Sequence, residues 1–307
     1  MVVLVMMVGI GSAGLTLGAQ TDLDVLEVQG KVWALISATG NVTVQLGSDG
    51  PLVVDTQAGA AGERVFGAIR AMTPRPIRHV VLTSGDDRFA GGAAAFATAG
   101  RYVRVIDSID PRGLDARASI IAHLNVLNRM TATDKPSASW PTDTYLTSEW
   151  SLFSNGEAVQ FLHVPGAHSD GDTIVFFRRS DVISTGGVFD ADAYPTFDAA
   201  AGGSIDGILE ALNRVIDIAI PGENQEGGTV IVPGRGRLSD ETDVANYRDM
   251  VTIVRDRVRE MARRGSTLDQ VIRARPTADY DGIYAAHDGD GDRFVEAIYR
   301  SLGGKNR

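Results

Sequence analysis

The chain has 307 residues, 44% hydrophobic and 22% charged, enough to bury one large core or two modest ones. Its formal net charge of -10 argues against a nucleic-acid partner, because proteins that grip a phosphate backbone present a basic face. Cysteine is absent, which excludes disulfides, thiolate metal sites and a cysteine nucleophile, and leaves chemistry to carboxylates and to His79, His123, His163, His168 and His287.

Residues 1–19 are apolar or small and carry no charge. Within them Gly9-Ile-Gly11-Ser-Ala-Gly14 imitates a dinucleotide fingerprint, but the helix and acid-tipped second strand expected about 20 residues on are missing. The stretch reads better as the core of a secretory signal, with Leu17-Gly-Ala19 before Gln20 as a small-residue cleavage site, although a positively charged start is lacking. The expectation is an exported protein of bacterial type, periplasmic or extracellular, with residues 20–307 as a single domain. If 1–19 is not cleaved, it becomes a membrane anchor.

From 23 to 56 the chain alternates in strand fashion over 25–28, 32–36, 42–46 and 52–55, with turns at Gly30-Lys31, Gly40-Asn41 and Ser48-Asp-Gly50. Asn41-Val-Thr43 is formally a glycosylation acceptor, but it opens a strand. Residues 63–72 read as a helix with Val65, Phe66, Ile69 and Met72 on one face, ended by Pro74 and Pro76. The apolar run at 80–82 then enters the polar loop Thr83-Ser-Gly-Asp-Asp-Arg-Phe-Ala-Gly-Gly92 and a small-residue helix. A strand, loop and helix in that order place a candidate site at the carboxyl end of the strand.

A strand at 102–106 and a helix over 111–130, carrying Ile120, Ile121, Leu124 and Leu127, come next. Strands at 158–164, 173–177, 182–185 and 229–232 surround a helix at 205–218 with Ile208, Leu212, Val215 and Ile216 aligned. The long helix 241–264 spaces Val244, Tyr247, Val251, Val254, Val258 and Met261 by threes and fours. Asp288-Gly-Asp290-Gly-Asp292 mimics a calcium loop, yet Arg293 and Tyr299 stand where the turn glycine and the bidentate glutamate belong, so Asp292 is read as capping the last helix. Two meanders, each followed by β/α units, predict an α/β protein built as a four-layer α/β/β/α sandwich.

Three further loops join the first in sequence order: Pro165-Gly-Ala-His168-Ser-Asp170-Gly-Asp172, Thr185-Gly-Gly187-Val-Phe189 and Pro233-Gly-Arg235-Gly. Together, over 25–236, they resemble the metallo-β-lactamase-fold hydrolases, whose first loop runs Thr-His-x-His-x-Asp-His-x-Gly-Gly. The resemblance implies the same sandwich, with a dinuclear zinc site along one edge of the paired sheets. It assigns the metal-ligand positions to Ser84, Asp86, Arg88, Phe89, His168, Gly187 and Arg235. Of these only His168 and, by substitution, Asp86 can hold a metal, since a guanidinium stays protonated and only donates.

The expectation is therefore a degenerate member that has lost the zinc centre and its cofactor and acts as a non-catalytic paralogue. The alternative is a metal-dependent hydrolase with an altered or mononuclear zinc site using His168 and Asp86. In the first case Arg88 and Arg235 form a pocket for a small anionic ligand, or pair internally with Asp86, Asp87 or Asp170. Ser84 with His168 offers the makings of a metal-free nucleophile, but no Gly-x-Ser-x-Gly elbow surrounds that serine.

Overall fold

The structure, a computed structural model, describes residues 23–101, 117–225 and 227–302. The readings of residues 1–19, cleaved or anchored, and the strand expected at 102–106 lie outside these. Among the described residues no helix is long and apolar enough to cross a membrane.

The alternating runs of the first third form the expected meander of β1 (Asp24–Gln29), β2 (Val32–Ser37), β3 (Gly40–Gln45) and β4 (Leu52–Val54), each antiparallel to the next. The sheet continues in parallel through β5 (His79–Val81), β6 (Ser119–His123) and β7 (Asp143–Tyr145), so that its seven strands lie side by side in chain order. The helices α1 (Gly59–Met72), α2 (Asp87–Ala90), α3 (Ala93–Ala99) and α4 (Leu124–Thr131) interrupt these parallel strands. Side chains alternate strictly: Val53, Val80 and Ile120 pack with the helices, while Val54, Val81 and Ile121 pack against a second sheet.

That double burial explains one misreading. Ile120 and Ile121 were expected in a helix over 111–130 but lie in β6, and the helix starts only at Leu124. A short apolar run in a parallel strand buried on both faces has no period that separates it from a helix.

The second sheet has five strands in the order β12-β11-β10-β9-β8, formed by β8 (Glu149–Ser154), β9 (Glu157–His163), β10 (Thr173–Phe177), β11 (Val182–Ser184) and β12 (Val230–Val232). Phe161, Val175, Phe177 and Val182 meet the first sheet, and Leu162, Ile174, Phe176 and Ile183 meet helices on the far side. Those helices are α5 (Ile205–Ile218), α6 (Glu241–Arg263), α7 (Leu268–Arg273), α8 (Asp281–Tyr284) and α9 (Asp290–Ser301). Helix, sheet, sheet, helix is the predicted four-layer order.

At α9 the expected cap is not used. The helix begins at Asp290, behind a left-handed Gly289, and the Asp290 carboxylate accepts from the His287 amide at 2.7 Å. Asp292 therefore lies inside the first turn.

Candidate functional site

Parallel strands deliver their carboxyl ends to one edge of the sandwich, and the four loops meet there. Asp55, just past β4, accepts from the Thr83 amide at 2.9 Å and from its hydroxyl at 2.8 Å. Burial pushes the Asp55 carboxyl up to about 7, against the Thr83 hydrogen bonds that favour its ionised form. Close approach of the loops rests on two glycines. A Cβ on Gly186, whose φ is +51°, would collide with the Thr83 hydroxyl, and one on Gly234 would collide with the Gly186 carbonyl.

Asp86 and His168, 82 positions apart, form a hydrogen bond of 2.6 Å between Oδ2 and Nε2. His168 Nδ1 lies 2.8 Å from the Thr196 carbonyl, which can only accept, so Nδ1 carries a proton. The hydrogen bond from His168 holds the Asp86 carboxyl below the usual carboxylate range. Burial works against charge on His168, but the Asp86 bond and the nearby Asp172 outweigh it and raise the imidazole pKa. Both shifts favour an imidazolium paired with a carboxylate, and both ring nitrogens are committed to hydrogen bonds.

On the one-turn helix α2, Arg88 donates to both oxygens of Asp190, at 3.0 and 3.5 Å, and lies over the Phe89 ring at 4.5 Å. The Asp190 side chain is 3% exposed, and Arg235 approaches the same carboxylate at 3.9 Å and that of Asp192 at 3.5 Å. Among the described residues the Arg235 guanidinium donates no hydrogen bond, and a third of it faces solvent. Internal pairing thus occurs, but not with the partners expected. Asp86 is taken by His168, Asp87 by Lys135 and Asp170 by Arg129, leaving Asp190 and Asp192 for the two arginines.

Phe89 is buried, edge-on to His168 with ring centroids 6.0 Å apart. A side chain on Gly187, one of the positions the resemblance assigns to a metal ligand, would start 3.0 Å from the Phe89 ring tip and 3.3 Å from His168, tighter than ordinary contact. Ser84 in the loop is buried, and its hydroxyl has no hydrogen-bond partner among the described residues. Asn41, formally a glycosylation acceptor, is buried and donates its amide to the Pro233 and Gly236 carbonyls, fixing the loop that carries Arg235. Sequence reasoning missed this role and that of Asp190, for which the only sequence signal is its place directly after the Thr185 to Phe189 loop.

The segment after Asp190 is braced from the helical side. The Ala191 amide donates to the Arg235 carbonyl, the Tyr247 hydroxyl of α6 to the Ala193 carbonyl, and Tyr194 stacks on Phe294 of α9 at 4.9 Å.

No protein-family model matches the chain, and no curated protein does. Solved structures do. The chain is similar to a metallo-β-lactamase from Pontibacter korlensis, at TM-score 0.57 and 15% identity over 75% of this chain and 99% of that one. It is similar to DIM-1 metallo-β-lactamase, at 0.56 and 15% over 75% and 97%. It is also similar to the stereoselective inverting sec-alkylsulfatase Pisa1 from Pseudomonas sp., at 0.65 and 13%, covering 92% of this chain and 50% of that one. The chain has the metallo-β-lactamase fold. It spans about half the length of the alkylsulfatase.

In the metallo-β-lactamase fold the edge just described is where a zinc centre is implied, and the residues present do not fit one. Zinc takes three or four N, S or O donors. Among the described residues no three His, Asp or Glu side chains converge on a point that could hold a metal. The one histidine presents protons on both nitrogens, and two guanidinium groups repel a dication. Protein purified without chelators is therefore expected to retain far less than stoichiometric zinc after dialysis. Elemental analysis checks this, and a stoichiometric metal lost on His168→Ala would contradict it.

Proposed function

We propose that this chain is a non-catalytic protein of the metallo-β-lactamase fold whose cleft binds a small anionic ligand through Arg235. The observation that supports this is the inequality of the two arginines. Arg88 donates two hydrogen bonds to the buried Asp190, while Arg235 beside it lies 3.5 Å from Asp192 and 3.9 Å from Asp190 and, among the described residues, donates no side-chain hydrogen bond. A guanidinium fork suits carboxylate, sulfate or phosphate oxygens, and binding needs no activated water. The solved neighbour Pisa1 is named a sec-alkylsulfatase, which makes sulfate a natural first probe. The second reading, a metal-dependent hydrolase using His168 and Asp86, requires their hydrogen bond to open, and the zinc measurement decides it.

A ligand that binds only the folded state raises the melting temperature by mass action. Sulfate is expected to raise that temperature above chloride at matched ionic strength, and Arg235→Ala to abolish the difference while leaving stability in chloride nearly unchanged. A wild type that responds equally to both salts would remove the anion ligand. If in addition Arg235→Ala lowered stability in chloride, Arg235 would be a structural partner of Asp190 and Asp192 alone.

A further inference from the structure

His123 and His163 come from different sheets, at the ends of β6 and β9, and meet face to face with ring centroids 3.5 Å apart and planes within 7°. His123 is buried and is the N-cap residue of α4, its Nδ1 accepting from the Asn125 amide at 3.3 Å. That nitrogen has no proton, so the ring is neutral. His163 Nε2 donates to the Asp170 carbonyl at 2.8 Å. The Asn125 side chain, from α4, donates to the same Asp170 carbonyl at 2.9 Å. One carbonyl, two residues after His168, is thus held at once from β9 of the second sheet and from α4 beside the first.

We propose that the stacked His123–His163 pair is an acid-sensitive latch on the loop that carries His168. A proton on His123 breaks its cap on α4 and sets a positive charge against the His163 ring it stacks on, so the rings separate and the loop loses a donor.

Burial and the His163 ring keep a proton off His123, outweighing Asp170 and a hydrogen bond with the Leu146 backbone, which favour one. Tyr145 of β7 stands edge-on to His123 at 5.3 Å with its hydroxyl within 2.6 Å of Thr173, so it offers no counter-charge. The Asp170 carboxylate is engaged by Arg129 of α4 at 2.5 Å, and Asp172 by Ser169. On the outer side His163 shares a groove with Glu149 of β8 and with Glu210 and Arg214 of α5, where Glu149 is paired to Arg214. Burial, and then the His163 ring, hold His123 at about 4 against an ordinary 6.5. A histidine with a depressed folded pKa stabilises fully above its unfolded value, so the latch weakens as pH falls from 6.5 toward 4.

The test is backbone hydrogen exchange of residues 165–172 at about pH 7 and about pH 4.5, corrected for intrinsic rates, in the full chain. His123→Asn keeps a capping oxygen, and His163→Gln keeps a donor to Asp170. The wild-type loop is expected to lose at least about tenfold protection on acidification, and each variant to lose little. Amides of α5 report the global change contributed by His79, which burial also holds at about 4. Unchanged loop protection in the wild type, or the same loss in either variant, would overturn the latch.

Discussion

Asp190→Ala is expected to lower stability by about 2–4 kcal/mol, below the usual cost of breaking a fully buried pair because the arginines are a quarter to a third exposed. The melting temperature should fall by roughly 5–10 °C. The loss comes less from the missing hydrogen bonds than from what remains, two guanidinium groups facing each other in a half-closed cleft. This gives the interaction a sign that can be read. Arg88→Ala should destabilise the wild type but stabilise the Asp190→Ala protein, a coupling that a double-mutant cycle isolates. A stability change for Asp190→Ala within about 0.5 kcal/mol, the usual range for a surface substitution, would show that Asp190 does not hold the site together.

Phe89→Ala should cost about 3–5 kcal/mol, the range for removing a fully buried aromatic ring. The ring supports the Arg88 guanidinium on one side and meets His168 and the Gly187 backbone on the other. Its loss should open a hole without creating a metal site, since Arg88 and the Asp86–His168 bond remain. Urea unfolding with an unchanged slope checks the magnitude, and zinc titration of the same variant checks the second statement. A loss below about 1 kcal/mol would mean that the cleft collapses into the space the ring leaves.

The loops of this site were legible because backbone geometry wrote them. Gly186 and Gly234 are needed where chains nearly touch, and Thr83 is needed where Asp55 must be answered, so the frames survive although most ligand side chains are gone. Strands buried on one face or joined by tight turns were legible as well. Ile120 and Ile121 were not, and neither were the edge strands β7, only three residues long, and β8, which is mostly exposed. Charge partners were the least legible. Asp86, Asp87 and Asp170 were considered for the arginines because of their loops, but Asp190 stands 102 positions from Arg88 and reaches it only once both sheets have formed.

The bracing of the Asp190 segment by Tyr247, Tyr194 and Phe294 bears on how the protein comes apart. One continuous core contains Leu162 and Ile174 of the second sheet and Phe189 of the loop after β11, together with Val254, Phe294 and Ile298 of the late helices. The late helices share that core with the second sheet, and the segment after Asp190 that contacts Arg235 is held through them. Opening the tail and dissolving the cleft are then one cooperative event. The last quarter of the chain is thus tied to the cleft: a change at Tyr247 or Phe294 acts on the segment that carries Asp190 and contacts the Arg235 backbone.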